Sequence, residues 1–83
     1  MPYLGNHDRR RQLDRVVSEL IHTQVKADGD LNYILFAYCK TSVKPSYNNY
    51  KNYIAELTEC ASEIRRRFMA PYEDLKIKEN GDV

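Results

Sequence analysis

Tryptophan is absent, cysteine occurs twice, and glycine and proline occur three times each. Two cysteines, Cys39 and Cys60, argue against a disulfide scaffold; both fall in helix-like segments and suit buried small hydrophobes in a reducing setting. The three glycines never form a phosphate-loop pattern. Charge of one sign is missing as well, since 13 Lys and Arg against 12 Asp and Glu leave +1. That balance argues against a dedicated nucleic-acid binder, which carries a strongly basic surface. No apolar run approaches the roughly 20 residues of a membrane span. Charged residues begin at Asp8, too early for a signal-peptide core, so a cytoplasmic location is expected.

Enzyme signatures are missing too. His7 and His22 are the only histidines, and neither has a second ligand at helical or turn spacing. The acidic tail residues Glu73, Asp74, Glu79 and Asp82 match no calcium-loop spacing. No catalytic residue, metal or cofactor is expected.

What is present is periodicity. With 42% apolar and 30% charged residues, the 83-residue chain has a globular balance and room for one domain, 1–83. Leu13, Val16, Val17, Leu20, Ile21 and Val25 form one stripe of a helix over residues 8–26, with Asn6 or Asp8 at its start. Gly29 supplies a turn, and Asp30 can cap a second helix over 31–41. Its stripe is Leu31, Ile34, Leu35, Tyr38 and Cys39, with Phe36 off the line. Pro45 closes it, and Ser46 caps a third helix over 47–69. Here Tyr50, Tyr53, Ile54, Leu57, Cys60, Ala61, Ile64 and Phe68 keep one face apolar. Pro71 either stops this helix or opens a final one. The tail 71–83 reads either way: Leu75 and Ile77, two apart, suit a strand, whereas the charges suit a short helix. The expected fold is all-α, a compact three-helix bundle with an irregular N-terminal lead and an extended or short helical tail. Its core is thin, and self-association would relieve the apolar surface left over, so a homo-oligomer is expected.

Two residue types stand out. Tyrosine occurs seven times, with Tyr47, Tyr50 and Tyr53 three apart and Tyr33 and Tyr38 in the second helix. A tyrosine offers a flat apolar face and a hydroxyl at little rotamer cost, which suits a binding surface as well as the rim of a thin core. Arginine occurs in two triplets, Arg9–Arg11 and Arg65–Arg67. Pairing of Asp14 with Arg10 or Arg11, and of Glu63 with Arg66 or Arg67, would be structural. Guanidinium forks also grip phosphate and carboxylate. Arginine, tyrosine and asparagine together can hold a nucleotide by charge, ring and amide.

The segments Gly29-Asp30-Leu31-Asn32-Tyr33 and Ala70-Pro71-Tyr72-Glu73-Asp74, the latter followed by Lys76-Ile77 and Glu79-Asn80-Gly81-Asp82-Val83, carry a resemblance. Over nearly its whole length the chain resembles a group of small uncharacterised proteins of bacteria and their phages. Their pattern looks like a Pro-Tyr start, here Pro2-Tyr3, a Gly-Asp-Leu-Asn-Tyr centre and this acidic Asn-Gly end. A Gly-Val-Leu-Glu-Cys stretch typical of the long helix is only partly kept in Ala55–Cys60. The resemblance brings no activity with it. Through its phage context it implies an inhibitor of a host system, acting in the host cytoplasm. Some phage proteins of that kind are helical oligomers that sequester nucleotide-derived immune signals.

The leading expectation is a non-catalytic sponge holding a small anionic nucleotide in a pocket between subunits. Arg66 or Arg67 would pair with phosphate, Tyr33 or Tyr72 would stack, and Asn32 would hydrogen-bond. The second is a protein-interaction module that covers a host protein with its tyrosine-rich third helix.

Overall fold

The computed structural model describes residues 5–81, and all regular structure within them is helical. Helix α1 spans His7–His22, α2 Asp30–Ser42 and α3 Tyr47–Ile64. A π turn, Arg65–Met69, joins α3 without a break to α4, Ala70–Asn80. Three helices are thus present, the last a joined one from Tyr47 to Asn80. The Pro2-Tyr3 start, most of the N-terminal lead, and Asp82 and Val83 lie outside the described residues. The chain divides into two units, one up to Val43 and one from Lys44 onward.

In the first unit, Asn6 opens α1: its Oδ1 accepts the amides of Asp8 at 2.9 Å and Arg9 at 3.2 Å. The helix ends at His22, four residues short of the expected end, because Gln24 takes the left-handed conformation at φ 62°. The Gln24 amide donates to the Ile21 carbonyl and the Val25 amide to that of Leu20, each at 3.0 Å. This is the Schellman pattern, and the apolar pair that accompanies it is Leu20 with Val25. The apolar period runs on through Val25, so the stop is invisible to a count of spacing.

Gly29, not Asp30, precedes the first turn of α2; at φ 123° its backbone is open only to glycine at low cost. Asp30 is the first helical residue, and its carboxylate turns back to accept the Lys26 amide at 3.3 Å.

In the second unit, Ser46 is the cap it was expected to be. Its Oγ accepts the Asn49 amide at 3.0 Å, while Asn49 Nδ2 donates to the Lys44 carbonyl at 3.0 Å. The helix passes Met69 and continues through Pro71, so the strand alternative for the tail is overturned. Proline lacks an amide proton and cannot bond the carbonyl four residues back, here Arg67. The chain accommodates it by widening one turn: the Ala70 amide bonds the Arg65 carbonyl, five residues back. Pro71 then sits in the first turn of α4, where a missing donor costs least.

No described residue is buried, so where a thin core was expected these residues have none. The accessible surface is 7758 Å².

Candidate functional site

Each candidate ligand residue has a definite place. Asn32 and Tyr33 lie in the first turn of α2, in the first unit, and both are exposed. Tyr33 borders a shallow hollow with Val25, Gly29, Asp30 and Ile34. Arg66 and Arg67 lie in the π turn and Tyr72 in the first turn of α4, all in the second unit.

The two arginines converge on one acid. Arg66 and Arg67 both pair with Glu63, one turn earlier, with Arg67 Nε 3.2 Å from Glu63 Oε2. Only 11% of the Glu63 side chain is exposed, against more than half of either arginine. This is the structural pairing the spacing allowed. Because both cations face water, each bond stabilises by well under 1 kcal/mol. A phosphate bound here would have to compete with a carboxylate already in place. In the other triplet, Arg11 pairs with Asp8 at 2.8 Å rather than with Asp14.

Tyr72 is also occupied on one face: Lys76 Nζ lies 5.6 Å from its ring centroid. Tyr47, at the other end of the joined helix, has the same partner four residues on, with Lys51 Nζ at 6.0 Å. Sequence reasoning passed over these lysines, although Tyr-to-Lys spacing of four was there to read. It treated Glu63 only as an ion-pair partner, and nothing in the sequence marked it as the most covered charged side chain of its helix.

Among the described residues, no group of three or more His, Cys, Asp or Glu is placed to hold a metal ion. No described helix is long and apolar enough to cross a membrane.

The dominant surface feature is apolar. In the first unit Val16, Val17, Ile21 and Phe36 are exposed, Ile21 by 72%. Val17, Leu20, Ile21, Val25, Ala27 and Leu31 line an open hollow of ≈ 290 Å³. In the second unit Leu57, Ile64, Phe68, Tyr72 and Leu75 are all exposed, Phe68 by 68%. Full burial of one large apolar side chain is worth about 1.5–3 kcal/mol, and each of these partly covered ones forgoes a share of it.

A family model described as a domain of unknown function, DUF6899, matches residues 1–83, and the chain belongs to that family. No curated protein matches the chain, and no solved structure does.

Proposed function

We propose that this DUF6899 domain is a non-catalytic interaction module that completes its hydrophobic core by docking its apolar helix faces on another protein surface. The observation that carries the reading is the pairing of well-formed helices with no buried residue among those described. Helices as short as α1 and α2 are marginal in water on local hydrogen bonds alone, and in proteins packing of an apolar face supplies most of a helix's stability.

The nucleotide-sponge reading has less support. Arg66 and Arg67, its phosphate-pairing residues, already share Glu63. A calorimetric panel of cyclic and ADP-ribose-type nucleotides tests it: binding lost in an Arg66→Ala, Arg67→Ala variant of unchanged helicity would bring that reading forward.

Hydrogen exchange on the chain at high dilution tests the interaction reading. The expected result is weak protection throughout α1, α2 and the joined helix. A lone monomer with strongly protected helices would refute it, because such protection requires a core of its own.

A further inference from the structure

We infer that the joined helix Tyr47–Asn80 pairs antiparallel with the same helix of a second copy of this chain, along a seam that the π turn keeps in phase. The inference rests on the interaction reading above and names the partner.

The seam begins at heptad spacing. Tyr50, Tyr53, Leu57, Cys60 and Ile64 follow one another at alternating intervals of three and four. An unbroken α-helix would continue that register to Arg67, Pro71 and Asp74, which are charged or unable to pack as core. The π turn takes in one extra residue between Arg65 and Met69. With that residue absorbed, the next positions become Phe68, Tyr72 and Leu75. All three are more than half exposed. An apolar seam sustained for more than three heptads is the mark of a helix that pairs with another. An insertion that re-phases the pattern is a known device of such helices.

Charge selects the partner and its direction. Glu56 and Glu59 lie just before Ile64 and Arg65 just after it, while Glu63 already holds Arg66 and Arg67 within the helix. The charges left to face a partner are thus an acidic block followed by a basic one. Parallel, in-register pairing would set each block against its own copy. Antiparallel pairing sets acid against base twice, by the reciprocity of a two-fold interface. In that arrangement Leu57 meets Phe68 of the other copy, Tyr53 meets Tyr72 and Tyr50 meets Leu75, while Lys51 comes opposite Asp74. A helix that complements itself when reversed fits a second copy of this chain.

Sedimentation equilibrium and site-directed cross-linking test the arrangement in the full chain. The expected mass is twice 9.8 kDa. In a Cys39→Ser, Cys60→Ser background, chains carrying Tyr50→Cys and chains carrying Leu75→Cys are mixed and mildly oxidised. Cross-links between the two kinds of chain support the proposal; cross-links confined to like chains overturn it. A one-chain mass at high concentration also overturns it, yet leaves the interaction reading standing if the dilute chain exchanges its amides rapidly. Pro71→Ala gives an independent check, since it removes the reason for the π turn. Helicity should hold or rise while self-association weakens at least tenfold; undiminished association would remove the π turn from the account.

Discussion

The two units solve the same problem differently. Up to Val43, two short helices are separated by a turn whose every bend has a bond or a backbone conformation behind it: Gln24 at φ 62°, Gly29 at φ 123°, and Asp30 reaching back to Lys26. From Lys44 onward, one helix runs to Asn80, about 50 Å at 1.5 Å per residue, and passes a proline by widening a single turn. Among the described residues neither unit contributes a buried one. The difference teaches that local hydrogen bonding can fix a backbone closely while leaving its stability to whatever covers the apolar face.

The comparison breaks if the joined helix is stable by itself. Leu57→Asp places a charge in the seam and should weaken self-association about 100-fold, close to 3 kcal/mol, by sedimentation equilibrium. Its effect on helicity should vanish at a dilution where the unaltered chain is already dissociated.

Gly29→Val should cost about 1–2 kcal/mol in urea unfolding at fixed protein concentration, because a β-branched residue must enter a backbone region that excludes it. Nothing lies within 4 Å of the added Cβ, so the cost is one of backbone alone. It should therefore persist on dilution, in contrast to Leu57→Asp.

Ser46→Ala removes the acceptor of the Asn49 amide and should cost about 1 kcal/mol, read as fraying of the start of α3 by hydrogen exchange. Gln24→Gly is the smallest and opposite change. Relief of the left-handed strain outweighs the added chain entropy by about 0.5 kcal/mol, so the first unit should gain stability.

The same contrast explains how much the sequence disclosed. The all-helical class, the three helices, the Ser46 cap and the Asn6 start were readable, because capping residues and apolar spacing act locally. The end of α1 was not, since Gln24 carries no mark of the conformation it adopts. Pro71 allowed two continuations, and the choice lay in a widened turn that propensity does not encode. For the candidate site, spacing gave the Glu63 pairings with Arg66 and Arg67, which are held within one helix. Asn32 and Tyr33 lie in one unit and Arg66, Arg67 and Tyr72 in the other, and spacing along a helix carries no information across units.

Association itself is the claim to test first, by following helicity and mass together across a dilution series of the unaltered chain. Helicity should fall as the mass drops from two chains to one. A one-chain mass with full helicity at every concentration would contradict it.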